Sequence, residues 1–409
     1  MGGGIHNPSC AERQSSIGPM TDRQPPGAPA LARNAVDVLP QGMLEKQLAE
    51  GRPLRVKFGI DPTAPDIHLG HVVLLRKLRE FQELGHTVVL IVGDYTARVG
   101  DPSGRSATRP MLSPEEIDRN AGTFQDQAFT VLDRERTEVR KNGEWLQMEM
   151  EDLFRLARTS TVAQLLERDD FAKRYSKGDP ISILELLYPL LQGYDSVAVE
   201  ADLELGGTDQ KFNLLLARDI QQAYEKPQQS ILTMPILPGT DGVQRMSKSA
   251  GNYVGVTDAP EEMFGKLMRV PDQAMPVYYD LLLDEPLDES APAVESKRTL
   301  ARTLVERFHG DGAGAAAEAH FDRLHVSHEL PEDIDEMAIP AGESIHLPAL
   351  MADGFGVSRS EARRLLLQGG VRLDGDQLGE GDLDVDPARL DGSVLQLGKR
   401  RFLRFRAGA

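Results

Sequence analysis

Two short stretches carry side chains whose types and spacing could handle phosphate. In "DPTAPDIHLGHVVLLRKL", His68 and His71 stand at the mouth of a helical pattern. Such a mouth offers unpaired backbone N–H groups and the positive end of the helix dipole, and so attracts anions. Imidazole N–H groups there can donate to phosphate oxygens as charge builds at a reacting phosphorus. Gly70, between them, leaves room for a flat purine against the backbone. Incidental helix surface is a competing reading, and so is metal binding. A zinc pair on a helix prefers a spacing of about four with a third ligand nearby, and this stretch offers no strong third ligand. The second stretch, "RMSKSAGNYVG", places Arg245 and Lys248 among small and polar residues. A loop of that kind can bring cations to a triphosphate and close as charge moves onto pyrophosphate. Alone it also fits a solvated Ser-rich turn. The two motifs together are a rarer coincidence than either one.

These residues need a scaffold. "LRVKFGI" (54–60), bounded by Pro53 and Asp61-Pro62, reads as a strand. Asp66 is expected to N-cap a helix in which Leu69, Val72, Val73, Leu75, Leu78 and Phe81 recur at helical spacing, with Gly85 at its C-terminal end. "TVVLIVG" (87–93) is a second buried strand. "ADLELGG" (201–207) and "SILTMPIL" (230–237) flank the helical pattern "TDQKFNLLLARDIQQAY". This alternation predicts an α/β fold with a doubly wound, parallel, Rossmann-like sheet over residues 37–260. Residues 261–330 read as helices only, and an Ala/Gly-rich acidic connector near 326–344 is the expected domain boundary. Residues 345–409 read as a small α/β unit, with the helix "SRSEARRLLLQGG" followed by strands "VRLDG" and "RFLRFR".

Bulk properties narrow the classes. A chain of 409 residues should hold about two or three domains. Residues 1–36, rich in Gly, Pro and Ser, are expected to be a disordered tail in which Met20 could be the true start. The tail has no apolar core of a secretory signal, and no run approaches the roughly 18 apolar residues of a membrane helix. The single cysteine, Cys10, excludes an intramolecular disulfide and a Cys-based metal site, which suits the cytosol. A formal charge of -18 argues against indiscriminate nucleic-acid binding, not against a local basic surface. Residues 343–409 are neutral, with ten Lys and Arg against ten Asp and Glu, and "GKRRFLRFRAG" holds five cations and no anion.

The phosphate motifs resemble the HIGH and KMSKS signatures of class I aminoacyl-tRNA synthetases. The chain is similar in particular to bacterial tyrosyl-tRNA synthetases, through "KFGIDPTAPDIHLGH", "GDPSGRSATRP", "LLYPLLQGYDSVAVEADLELGGTDQKFN" and "VQRMSKSAGNY". "SRSEARRLLLQGGVRLDG" resembles the small RNA-binding fold that ends many bacterial members, so the likeness runs from about residue 37 to 406. The resemblance implies a tyrosine–tRNA ligase. Such an enzyme activates L-tyrosine with ATP to tyrosyl-adenylate and pyrophosphate, then transfers tyrosine to the 3' end of tRNA(Tyr). It implies ATP as a substrate with Mg2+, no tightly bound cofactor, an anticodon-region-binding role for residues 261–330, and a cytoplasmic homodimer without a membrane partner.

The resemblance also assigns residues. His68 and Thr63 would contact the terminal phosphate of ATP, and His71 and Gly70 would line the nucleotide. Lys248 and Arg245, with Arg105 and Arg109, would hold the pyrophosphate side. Asp209 would bind the ribose, and Gln210 would lie near the reacting carboxylate. Asp101, Tyr188 and Gln192 match residues that receive the α-ammonium, Thr96 lines that pocket, and Asp195 would accept a hydrogen bond from the phenol. Tyr188, Gln192 and Asp195 share a helical face, so a polar packing seam is the alternative. One departure stands out: where the best-known branch has a tyrosine that shares the phenol, this chain has Lys57, followed by Phe58. Arg359, Arg363, Arg364, Lys399, Arg400, Arg401, Arg404 and Arg406 could contact RNA phosphates. Three rivals share part of this pattern: a tryptophanyl synthetase, another adenylyl-transferring enzyme, and a synthetase-derived RNA-binding protein.

Overall fold

The apolar runs pair with one another in the computed structural model, which describes residues 27–62, 66–102, 113–325, 334–340, 342, 344–398 and 401–406. Six strands form the first sheet: β1 (Asp37–Leu39), β2 (Arg55–Ile60), β3 (Thr87–Val92), β4 (Thr137–Lys141), β5 (Leu203–Gly207) and β6 (Ser230–Met234), in the order β1-β6-β5-β2-β3-β4. All neighbours run parallel except β1, which pairs antiparallel with β6 at one edge. Val88 through Val92 of β3 are buried on both faces, as a central parallel strand requires. The chain leaves β2 for β3 on one side, whereas β5 lies on the other. The winding direction therefore reverses between β2 and β5, the position where open α/β sheets bind ligands. The α/β, doubly wound expectation holds.

The helix Leu69–Glu83 buries the apolar stripe that the sequence marks, with Leu69, Val72, Val73, Leu75, Leu78 and Phe81 all in the core. Gly85 has φ +90, and the N–H of His86 returns to the Phe81 carbonyl at 3.1 Å, closing the helix as its glycine suggests. Asp66 does not cap this helix. The cap position is His68, because Ile67 is pulled fully into the core and holds the chain extended for two residues beyond Asp66. Residues 28–33, expected within the tail, are packed. Ala28–Leu31 is a helical turn with Ala28 and Leu31 buried, and Arg33 forms an ion pair with Asp284 at 3.1 Å. Residues 1–26, with Cys10 and Met20, lie outside the described residues.

Helices Ile183–Ala198 and Lys211–Ala223 pack closely and present the polar residues of the site. Ser182 and Glu185 form a capping box on the first: the Glu185 N–H donates to Ser182 Oγ, and the Ser182 N–H donates to Glu185 Oε2. A Cβ on Gly193 would stand 2.5 Å from Ile220 Cδ1 and 3.2 Å from Ala217 Cα, so the approach of the two helices needs a glycine. Residues 260–325 are helical where the sequence reads helices, in Pro260–Leu267, Ala293–His309 and Ala313–His325.

Packing divides the chain between Asp311 and Gly312. Within the second unit, β7 (Asp335–Ala338), β8 (Ile345–His346), β9 (Val371–Leu373), β10 (Asp376–Gln377), β11 (Asp384–Val385), β12 (Val394–Leu397) and β13 (Arg401–Arg406) accompany helices Leu347–Phe355 and Arg359–Leu367. A five-stranded sheet runs β10-β9-β12-β13-β7. β7 falls inside the stretch read as a connector and pairs parallel with β13. Leu347, Met351, Ala362, Leu366, Leu395 and Phe405 centre this unit's core. Replacing Gly193 by Ala should destabilise the first unit by about 1–3 kcal/mol through overpacking. Denaturant titration against the parent checks this, and equal midpoints would refute the tight helix contact.

Candidate active site

A cleft of about 610 Å³ opens at the carboxyl ends of β2, β3, β5 and β6. His68, Gly70, His71, Thr96, Asp101, Tyr188, Gln192, Asp195, Asp209, Gln210, Arg245 and Lys248 all line it. Thr63, Arg105 and Arg109 lie outside the described residues, as do Lys399 and Arg400. Parallel strands deliver these side chains together because each strand ends at the same rim and each following loop starts there.

One end of the cleft is formed by the Leu69–Glu83 helix mouth and the late loop. The His68 and His71 rings lie 3.9 Å apart between centroids. His71 Nδ1 accepts from the His68 backbone N–H at 3.2 Å, which leaves its hydrogen on Nε2 as a donor. His68 Nδ1 is buried without a hydrogen-bond partner. Burial, then the neighbouring His71 and Arg245, lower the His68 pKa to about 2, and burial lowers that of His71 to about 4. Both rings are therefore neutral dipoles. The cations come from the loop: Lys248 Nζ meets Asp66 at 2.5 Å, and Arg245 meets Asp209 at 3.5 Å. A Cβ on Gly70 would sit 3.0 Å from the His68 ring, so glycine keeps this floor open.

The other end is a chain of hydrogen bonds around carboxylates. Tyr188 O–H donates to Asp61 Oδ2 at 3.0 Å, and Thr96 Oγ1–H donates to Asp61 Oδ1 at 2.6 Å. Asn142 Nδ2 donates to Thr96 Oγ1 at 2.9 Å and to Asp195 Oδ2 at 3.3 Å. Trp145 Nε1–H donates to Asp195 Oδ1 at 2.8 Å. A second strand of contacts runs from Asp101, which accepts from Gln210 at 3.0 Å, through Asn213 to Gln192 Oε1 at 2.9 Å. Asp61, Asn142, Trp145 and Asn213 were not marked by sequence reasoning. Asp61 lies within a quoted motif, but Asn142 and Trp145 sit in "KNGEW", which has no pattern of its own.

The family model described as class I tRNA synthetases (W and Y) matches residues 49–325. The chain is 49% identical over 391 residues to the tyrosine–tRNA ligase of Moorella thermoacetica, covering 91% of this chain and 94% of that one. It is also 49% identical over 391 residues to the tyrosine–tRNA ligase of Thermotoga maritima, covering 92% and 96%.

The chain belongs to the class I tRNA synthetases of the tryptophan and tyrosine group.

A crystal structure of tyrosyl-tRNA synthetase complexed with L-tyrosine from Archaeoglobus fulgidus superposes on this synthetase with a TM-score of 0.59 at 25% identity, covering 68% of this chain and 96% of that one. In the synthetase, the hydrogen-bonded carboxylates are held at unusual ionisation. Burial raises the Asp61 pKa to about 7 despite the bond from Thr96, with Asp101 and Asp195 adding to the rise. Burial also raises Asp195 to about 6, against the pull of Lys57, Trp145 and Asn142. The Tyr188 hydroxyl is pushed well above its ordinary value, mainly by burial, so it remains a donor.

These shifts have a sign. An unfolded chain releases the Asp61 proton near 3.8, whereas the folded synthetase keeps it until about 7. Through that window the folded state binds the extra proton, so this group's contribution to stability declines as pH rises. Asp61→Asn removes the dependence. Relative to the parent, the variant should gain about 2–3 kcal/mol between pH about 5 and about 8. Urea titrations of both proteins at the two pH values measure the gap, and a constant gap would show that Asp61 ionises normally.

Proposed function

We propose that the chain activates L-tyrosine with ATP and transfers it to the 3' end of tRNA(Tyr), using the cleft residues in the roles that follow. The observation that carries the reading is that His68 and His71 from one motif, and Arg245 and Lys248 from another far along the chain, meet in one cleft whose opposite end holds Asp195. The relatives' names favour tyrosine over tryptophan, which the family model leaves open.

ATP would lie along the helix mouth, with its purine against Gly70 and its ribose on Asp209. His68 and His71 would donate to its phosphates, while Lys248 and Arg245 stabilise the leaving pyrophosphate. Tyrosine would occupy the other end, its ammonium received by Asp101, Tyr188 and Gln192 and its phenol donating to Asp195. The tyrosine carboxylate attacks the α-phosphorus, and the ribose hydroxyl of the tRNA end then attacks the acyl carbon and releases AMP. No side chain becomes covalently attached. Positioning and charge stabilisation supply the acceleration. Magnesium would enter with the ATP phosphates: among the described residues, no group of three or more His, Cys, Asp and Glu is placed to hold a metal ion.

Arg359, Arg363 and Arg364 are exposed on their helix and support an RNA-binding role for the second unit. Arg401 is engaged within that unit, donating to the Phe355 carbonyl and lying over its ring, and Arg406 pairs with Glu336 at 2.5 Å. Exposed Met150, Phe154, Val162 and Ile183 support a homodimer. No helix among the described residues is long and apolar enough to cross a membrane.

ATP–pyrophosphate exchange should depend on tyrosine and not on tryptophan. Asp195→Ala should lower the tyrosine-to-phenylalanine preference by about 10- to 100-fold, the usual effect of removing the partner of a buried polar group. Exchange with tryptophan alone would overturn the substrate, and an unchanged preference would overturn the role of Asp195. Ending the chain after His325, so that β7 leaves with the sheet it belongs to, should weaken tRNA charging and spare exchange. Equal losses of both would refute the separation of roles.

A further inference from the structure

Lys57 lies in the middle of β2 with no exposed surface. Its Nζ forms an ion pair with Glu204 Oε1 at 2.8 Å, donates to Ser196 Oγ at 2.7 Å and donates to the Gln192 carbonyl at 3.0 Å. An ammonium has three hydrogens, and these three acceptors use them. Lys57 therefore has no donor left for a ligand in the cleft. Glu204 is equally occupied: besides Lys57, it accepts from Ser196 Oγ–H at 3.1 Å and from Gln229 Nε2 at 2.5 Å. Lys57 and Glu204 are register partners on adjacent parallel strands, at the place where the sheet changes its winding direction.

The acceptors on the neighbouring helix locate the effect. Gln192 and Ser196 are one helical turn apart, and Asp195 lies on that turn. Lys57 thus clasps from beneath the turn whose upper face lines the cleft with Gln192 and Asp195. Apolar residues of similar volume would commonly do as well or better for stability alone than such a buried pair, so stability does not account for it. Fixing one turn of helix at two points, with a positive charge behind Asp195, does.

We propose that Lys57 is a positioning residue for amino-acid selection: it anchors the Gln192–Ser196 turn from below, so that Asp195 meets the substrate's phenol in one geometry and as a charged acceptor. The inference rests on the tyrosine-activating reading above and deepens it. No direct contact between Lys57 and substrate is involved.

The test compares the parent, Lys57→Met and Lys57→Met/Glu204→Gln in ATP–pyrophosphate exchange with tyrosine and with phenylalanine. Glutamine at 204 keeps acceptors for Ser196 and Gln229 and leaves no buried carboxylate unpaired, so the double variant separates positioning from folding. Both variants should raise KM for tyrosine by about tenfold or more and lower the tyrosine-to-phenylalanine ratio. Their kcat and KM for ATP should change by less than about threefold, as loss of a binding geometry predicts. If Lys57→Met does not fold, the double variant decides alone. A double variant with the parent's KM and ratio overturns the proposal, and so does one that cannot fold, since the pair then serves the core only. Absence of tyrosine-dependent exchange in the parent would remove the activity reading itself, and this inference with it.

Discussion

Burying carboxylates beside one another is unfavourable, and the Asp195 end of the cleft buries two and half-buries a third. Asp61, Asp195 and Glu204 lie within one neighbourhood, with Asp101 adding its charge to Asp61. Of the groups that face them, Lys57 is the fully buried cation, and its salt link to Glu204 offsets one charge. The rest is managed by neutral donors: Thr96, Tyr188, Asn142 and Trp145 each turn a hydrogen toward Asp61 or Asp195. Removing one partner of such a buried pair typically costs about 3–5 kcal/mol, so the surrounding helices and strands must hold these donors in place. The ammonium of an amino acid is a natural counter-charge to this group. The same electrostatics that strain the folded protein would therefore favour an amino acid bound there.

That constraint reaches into the backbone. Gly93 follows β3 where the Asp61–Thr96 pair closes, and a Cβ there would stand 2.1 Å from Asp61 Oδ1 and 2.4 Å from Thr96 Oγ1. The short hydrogen bond and the bare glycine are one feature seen from two sides. Gly193 plays the corresponding part behind the site, letting the Lys211–Ala223 helix come close enough for Asn213 to reach Gln192.

The central architecture was legible because its residues are apolar and regular. β2, β3, β5 and β6 read as runs of buried residues, and the Leu69–Glu83 stripe reads as a helix. β1 and β4 were not legible: one is three residues long, the other is "TEVRK", half-exposed at a sheet edge, and edge strands carry a weak apolar signal. The Asp66 cap failed because Ile67 is claimed by the core, a tertiary demand that local propensity does not register. Within the site, residues in motifs were readable, whereas Asn142 and Trp145 matter only through partners some fifty positions away. Lys57 was visible as a departure, but Glu204, Ser196 and Gln192 had to be seen in space to give it a role.

His68 and His71 do not gain protons anywhere near neutrality, so their end of the cleft has no titrating imidazole charge. Its cations are Arg245 and Lys248, and both rest against carboxylates at the rim. Docking a triphosphate there would therefore be an ion exchange, in which Asp66 and Asp209 give up these cations to phosphate oxygens. The net gain is the difference between two sets of ion pairs, smaller than either alone. Such a hold is strong in the instant of charge transfer and easily reversed afterwards, which suits a catalyst that must let pyrophosphate go before the next molecule of ATP arrives.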